Sequence, residues 1–510
     1  MLLTSLHRGD ARCRCTEIYV FLMLLVFPLF TGLHGYTSIT AAKFRLLTVL
    51  TAAWLAALIV LTVRVRRRPA ALCMAQWAAL ALLSAACLSA LLSPYGSLCI
   101  LGAGRYDGLV STALYLAIFL GVSRFGSFRP YHAAAFGAAI VLCCTVALLQ
   151  LLGYNPLRLF PGGLCYYDAH IKYTSEFLGT VGNVNLLSDI LVLAAALFAV
   201  LAVTAGRRAA LWSLVPLGAA IFTLAASGVS GGAAALVFGA LVGLPMLITG
   251  PLRLRRALAV LCVCCACSGC ALCLAPDYDG GVLSVHLRAG TAARVLFAAS
   301  AASFALMFPA QLLEKRRPGL RLRRAVCIFE LAAVIAALAL LWFCPGSSGT
   351  LHELSEVLHG RIDDSFGSSR IRIWRRALAL AGERPLLGAG PGTISLRLDI
   401  EFSRFVPETG QTLSSFADNA HNVYLQCLAD TGILGLACLL WLLFAAFRRF
   451  FKAPVTALRA GAMLAAVSGC AAGFFGLGLC LSAPLFWLFA GLMISGNDTI
   501  NPPGGSNDNQ

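Results

Sequence analysis

The chain has 510 residues, 59% of them hydrophobic and only 12% charged, with a mean hydropathy of +0.84. A soluble fold of that size cannot hide so much apolar surface, so the composition excludes a water-soluble enzyme and points to a polytopic membrane protein. The formal net charge of +17 then calls for no nucleic acid, because lysines and arginines in short connections orient membrane helices.

Apolar runs able to cross roughly 30 Å of hydrocarbon as helices fall at 18–38, 46–63, 72–93, 108–123, 131–152, 184–204, 209–226, 230–249, 257–275, 294–313, 326–344, 423–446, 457–475 and 477–495. The expected fold is all-α, a polytopic membrane protein of about 12–14 transmembrane helices. Arg8, Arg12 and Arg14 precede the first run and no A-x-A site follows, so that run reads as a retained helix rather than a cleaved signal. With the N-terminus cytoplasmic, Arg64 to Arg68, Arg124 with Arg129, Arg207-Arg208, and Arg253 with Arg255-Arg256 all fall inside. The same holds for Lys315-Arg316-Arg317 with Arg321, Arg323 and Arg324, and for Arg448-Arg449 with Lys452 and Arg459. Every other short connection is poor in basic residues, so both termini are expected in the cytoplasm.

The organisation read from this pattern is N-terminal helices over 1–100, a transmembrane core over 101–344 and a large extracytoplasmic loop over 345–422. C-terminal helices over 423–496 and a disordered tail over 497–510 complete it. Asn497-Asp498-Thr499 matches a glycosylation sequon by chance, since it is expected in the cytoplasm. Most of the 20 cysteines sit inside apolar runs, six of them (Cys262, Cys264, Cys265, Cys267, Cys270 and Cys273) on one span. That span has no histidine and no polar surroundings, so these read as small apolar filler rather than metal ligands. Cys99, Cys165 and Cys344 are expected near the outer face, with no disulfide indicated.

The loop carries the chemistry. Gly367-Ser368-Ser369-Arg370 leads into Ile371-Arg372-Ile373-Trp374-Arg375-Arg376, an amphipathic helix capped by serine, ended by Gly382, with Ile371, Trp374 and Leu378 on one stripe. Arg370, in its first turn, is the arginine best placed to hold an anion beside backbone N–H groups. The glycines of Gly388-Ala389-Gly390-Pro391-Gly392 read as a turn of close backbone approach, since no Gly-Lys-Ser/Thr follows them. His359-Gly360-Arg361-Ile362-Asp363-Asp364 adds carboxylates, of which Asp364 is the second choice of base, but too few converging ligands for a metal. The loop ends on Asp418-Asn419-Ala420-His421-Asn422, where Asp418 or Asn419 caps the next helix. His421 then lies in or near the first turn, where the helix dipole keeps it neutral and fit to act as a base. Arg105 and Asp107 in Gly104-Arg105-Tyr106-Asp107-Gly108 form either a local ion pair or part of a cavity lip.

Together these segments resemble the O-antigen ligase/polymerase family of bacterial envelope glycan enzymes. The matching stretches are 104–108, Gly179-Thr180-Val181-Gly182-Asn183-Val184-Asn185, 364–370 with Ile373-Trp374, 384–392, and 420–426 with Gly432-Ile433-Leu434-Gly435. The family often has Ser-Arg-Gly at the start of a middle span. Ser227-Gly228-Val229-Ser230-Gly231-Gly232 lacks that arginine, so other arginines must supply any phosphate contact made there. The resemblance implies a glycosyltransferase-C-like fold in the bacterial cytoplasmic membrane. It implies an undecaprenyl-pyrophosphate oligosaccharide donor and a glycan, lipid or protein acceptor, with no cofactor and no metal. The expected site is His421 as base and Arg370 as pyrophosphate clamp, assisted by Arg361 or Arg105. Asn422 and Asn183 are orienting groups, and Asp364 and Trp374 are further substrate contacts. A transporter of lipid-linked sugars and a non-catalytic scaffold are the alternatives.

Overall fold

The computed structural model describes residues 10–64, 71–160, 165–168, 171–174, 178–279, 282–287, 289–312, 319–344, 349–406 and 411–495. Arg8, Arg66 to Arg68, Lys315 to Arg317, the side chain of Cys165, and the tail with Asn497-Asp498-Thr499 lie outside them.

The chain is an all-helical bundle. Its first half runs α1 (Ala11–Leu29), α2 (Ile39–Arg64), α3 (Met74–Leu91), a short α4 (Leu98–Leu101), α5 (Leu109–Phe125), α6 (Pro130–Leu151), α7 (Val184–Thr204) and α8 (Arg207–Ser227). Then come α9 (Ser230–Leu247), α10 (Pro251–Cys273), α11 (Thr291–Leu312), α12 (Gly319–Phe343), α13 (Gly349–Leu358) and α14 (Phe366–Glu383). The last three are α15 (Val423–Phe450), α16 (Ala457–Ala472) and α17 (Ala483–Ile494). Three antiparallel hairpins interrupt the connections: β1 (Cys165–Asp168) with β2 (Ile171–Thr174), β3 (Leu274–Asp279) with β4 (Val282–Leu287), and β5 (Glu401–Val406) with β6 (Gln411–Phe416). Among the described residues ten helices are long and apolar enough to span a membrane, and α5, α16 and α17 are shorter apolar ones.

Most spans fall where apolar length puts them. The first is displaced: α1 ends at Leu29, near Pro28, instead of continuing to 38. Its end is sealed from inside, where the buried Lys43 Nζ donates to the carbonyls of Phe27 (2.9 Å) and Pro28 (3.1 Å) and Thr180 Oγ1 donates to Pro28 (2.8 Å). Carbonyls left over at a helix end inside a membrane need such donors. α7 is apolar all round and buried among α6, α8, α9 and α16, as a helix with no polar face must be. α12 is the opposite case, apolar and hardly covered by protein.

The starts of α2, α5, α7 and α15 gather at one end of the bundle. Gln150 at the end of α6 ties two of them together, accepting from the Leu178 and Gly179 N–H groups (3.0 Å each) and donating to Tyr36 Oη (2.7 Å). Val423 N, at the start of α15, donates to Gly473 O at the end of α16 (2.8 Å). Arg129, in the connection from α5 to α6, lies at the opposite end, paired with Glu17 near the start of α1 at 3.0 Å.

The segment between α12 and α15 has a small core of its own: Ile373, Ala377, Leu380, Ile394, Leu398, Ile400, Ala417, Ala420 and Ala429. This core seats α14 against the start of α15 and so fixes which side chains of the two face one another. The buried stripe of α14 is Ile373, Ala377 and Leu380, one residue away from the expected one, and Leu378 is exposed.

Candidate active site

The backbone beneath the site is a broken helix. α15 is interrupted at Gly432 (φ 68°), and the N–H groups of Ile433 and Leu434 bond to the carbonyls of Pro385 (2.8 Å) and Leu386 (3.3 Å) instead of to their own helix. A Cβ on Gly432 would lie 2.3 Å from the Leu386 carbonyl carbon, and one on Gly388 2.4 Å from that of Asp430. Two backbones this close leave no room for a side chain on either, and both glycines take the left-handed conformation that a Cβ disfavours. Non-helical backbone within a span survives only where protein satisfies its polar groups. The glycine-rich turn does that here.

Asp430, just before the break, joins the two segments. Its carboxylate Oδ2 accepts from Gly392 N (3.1 Å) and Gln426 Nε2 (2.8 Å), and its carbonyl accepts from Gly390 N (2.9 Å) and Ser89 Oγ (2.8 Å). Gln426 Oε1 in turn accepts from Ala420 N at 3.1 Å. The break in α15 is thereby wired to the residue before His421. Neither Asp430 nor Gln426 is among the residues expected from the sequence. The available signal was an acid inside an apolar run, four residues after an amide that can reach it.

His421 lies outside the helix. Asn422 is the cap, its Oδ1 accepting from Tyr424 N and Leu425 N at 3.0 Å each, whereas Asp418 or Asn419 was expected. Asn419 instead accepts from His421 N (2.8 Å), and His421 takes a left-handed conformation (φ 49°). Such a conformation is costly away from glycine and persists only where its surroundings fix it. The imidazole pKa is lowered to about 4, first by burial and then by the charges of Arg370 and Arg105, against the pull of Asp418. Burial and the neighbouring guanidinium groups both favour the neutral imidazole. Nδ1 is buried without a hydrogen-bond partner among the described residues.

Arg370 comes from α14. Gly367, Ser368 and Ser369 are all left-handed, so the regular helix begins at Arg370, and neither the expected serine cap nor the glycine stop forms; α14 runs on through Gly382 to Glu383. Gly367 N is held by Glu353 Oε2 (3.0 Å), and Arg370 Nη1 donates back to Gly367 O (3.0 Å). Burial lowers the Arg370 pKa, opposed by Glu353. Arg370 Nε and, one turn on, Trp374 Nε1 are buried without partners among the described residues. Trp374 leans on Phe475, ring centroids 6.3 Å apart. Phe475 also packs on Gly231.

Arg105 completes the group, but not by pairing with Asp107. Arg105 Nε donates to Asp418 Oδ2 at 2.5 Å. Asp107 turns inward, where burial raises its carboxyl pKa to about 6, helped by Asp418 and opposed by Arg105. It lines an apolar cavity of about 200 Å³ together with Asp430, Tyr115 and Trp487.

The other expected residues stand apart from this group. Arg361 is exposed and bonds to Glu356 at 3.5 Å. Asp364 pairs with Arg375 at 2.6 Å at the surface. Asn183 caps α7, accepting from Asn185 N (2.9 Å) and Leu186 N (3.2 Å), so its side-chain oxygen is already engaged, as is that of Asn422. Among the described residues no three histidine, cysteine or acidic side chains are grouped as metal ligands, and the cysteines are free.

A buried neutral imidazole beside two guanidinium groups can accept a proton and steady a growing negative charge at the same place. Residues 280–440, which contain most of this constellation, match the family model described as O-Antigen ligase. No curated protein matches the chain. The match supports membrane glycosyltransferase activity of the O-antigen ligase/polymerase type. With its helical bundle and ten candidate spans among the described residues, the chain is a multi-pass, all-α membrane protein whose residues 280–440 match an O-antigen ligase model.

Proposed function

We propose that the protein transfers a glycan from a polyprenyl-pyrophosphate donor to an acceptor hydroxyl at the extracytoplasmic end of the bundle, without a metal. What supports this reading is that His421 Nδ1 and, on α14, Arg370 Nε and Trp374 Nε1 are buried without partners among the described residues, with the Arg370 charge acting on the imidazole. Buried polar atoms are nearly always satisfied in a finished fold, so a group of exceptions is where a polar substrate belongs.

His421 takes the proton of the attacking hydroxyl. The hydroxyl oxygen bonds to the anomeric carbon while the bond from that carbon to the pyrophosphate oxygen breaks. Arg370, with Arg105 beside it, stabilises the charge that grows on the departing pyrophosphate. Asp418 holds Arg105 in position. We assign the end carrying these groups to the outside because the short arginine-rich connections of the sequence are expected at the other end.

A transporter of lipid-linked sugars draws support from ionisable residues within spans, Lys43, Asp189 and Asp430. Two of these have structural occupations. Lys43 seals the end of α1, and Asp430 bridges the broken α15 to the glycine turn.

The test is purified protein given a lipid-linked oligosaccharide and an acceptor in the presence of a chelator. Transfer that His421→Ala and Arg370→Ala each abolish supports the proposal. Movement of the donor across a vesicle membrane without transfer supports the transporter.

A further inference from the structure

Behind α14, away from Arg370, lies a second concavity of about 470 Å³ lined by Tyr95, Arg376, Glu383, Ser395, Asp399 and Phe416 among others. Arg376 follows Arg370 by six residues, about 120° away around the helix axis, so one helix presents one face to His421 and another to this groove. Its volume is within the roughly 300–1,000 Å³ usual for small-ligand sites.

The groove holds two arginines, and both are already engaged, by backbone carbonyls and, for Arg397, by Glu383 as well. Arg397 Nη2 donates to Leu380 O (2.9 Å) and Glu383 Oε2 (3.1 Å), while Nη1 reaches Ala429 O (3.4 Å). Arg376 donates to Leu398 O (3.3 Å) and Arg397 O (3.1 Å). They stiffen the floor and leave little for a phosphate, which Glu383 and Asp399 would in any case repel. The groups not so engaged are of another kind. The Asp399 carboxylate is exposed, and neither it nor the Tyr95 hydroxyl has a hydrogen-bond partner among the described residues. Phe416 at the rim is 62% exposed. A carboxylate that accepts from hydroxyls and aromatic rings that cover C–H faces suit one ligand class, an uncharged or weakly charged carbohydrate.

We propose that this groove binds a glycan segment remote from the bond being made. It rests on the glycosyl-transfer reading above, and the segment belongs either to the donor's glycan or to the acceptor's.

The experiment uses the full-length protein in lipid nanodiscs and, as probe, the free oligosaccharide repeat released from the native strain's surface glycan. Binding is measured by calorimetry and by saturation-transfer NMR. Wild type and His421→Ala should bind alike, whereas Asp399→Asn and Phe416→Ala should each weaken binding about fivefold, the worth of one hydrogen bond or one aromatic contact. In the transfer assay, Phe416→Ala should raise the KM of whichever substrate carries the longer glycan and leave kcat for the shortest substrates unchanged. Lengthening donor and acceptor in separate series identifies the source. Equal binding by wild type and both groove variants, or no binding by wild type, overturns the groove. A wild-type protein that binds the probe but transfers nothing overturns the enzymatic reading and leaves the groove standing.

Discussion

Arg105 and Asp418 are 313 positions apart in the chain, and the Arg105 guanidinium donates to the Asp418 carboxylate at 2.5 Å. The pair links the lip of α5 to the loop that carries His421, and both side chains are about a third exposed (38% and 35%). An ion pair so open to water contributes roughly 0–1 kcal/mol to stability. Its value lies in holding a cation near the imidazole. Arg105→Ala should therefore lower kcat/KM for transfer by roughly 10–100-fold while thermal unfolding hardly moves. A large fall in melting temperature with unchanged transfer would make the pair purely structural.

The acid limb of the pH–rate profile reports on His421. With its pKa lowered to about 4 by burial and by Arg370 and Arg105, kcat/KM should show no loss from this group between pH 8 and 5 and fall only near 4. A bound pyrophosphate offsets those two positive charges, so the corresponding limb in kcat should lie at higher pH. The same shift has a stability consequence. Between the folded value near 4 and the ordinary 6.5, the unfolded chain binds a proton that the folded chain does not. The contribution is complete above pH 6.5 and is lost as pH falls through that window. His421→Gln should flatten that part of the stability curve.

Asp107 runs the other way. Burial raises its pKa to about 6 from an ordinary 3.8, so the folded chain holds the proton more tightly and stability declines as pH rises from 3.8 through 6. Asp107→Asn should raise the melting temperature at pH 7.5 and do less at pH 4.5, measured by unfolding of the detergent-solubilised protein. Lower stability of the asparagine variant at pH 7.5 would mean that the carboxylate is needed charged.

Two glycines give a stability contrast. Gly432→Ala puts a Cβ 2.3 Å from the Leu386 carbonyl carbon in a left-handed position, and a loss of about 2–4 kcal/mol is expected, or no folded protein at all. At Gly382, within α14, an added Cβ would meet nothing within 4 Å, so Gly382→Ala should be neutral or stabilising by up to about 1 kcal/mol. Expression level and melting temperature of the two variants check this.

The bundle was largely legible because a span is a matter of apolar length, a local property of the chain. α7, expected over 184–204, occupies those residues. For the candidate site, the sequence suggests residues more readily than the contacts each of them makes. The charges of Arg370 and Arg105 both bear on His421, and Arg105 bonds to Asp418 rather than to Asp107 two residues away. Asn183 and Asn422, expected to orient substrate, are helix caps, a job asparagine does equally well and which sequence cannot separate from binding. The spacing of Gln426 and Asp430 hints at their mutual bond, but their further partners are backbone groups of a distant glycine turn and of Ala420. Contacts to backbone leave no residue-type signature in a single sequence.

Single-turnover transfer from a prebound lipid-linked donor, comparing wild type with His421→Ala, bears most directly on the central claim. A loss of about 10²–10⁴-fold at undiminished donor binding is the predicted result. Transfer that stays within about threefold of wild type would contradict the assignment of His421 as the base.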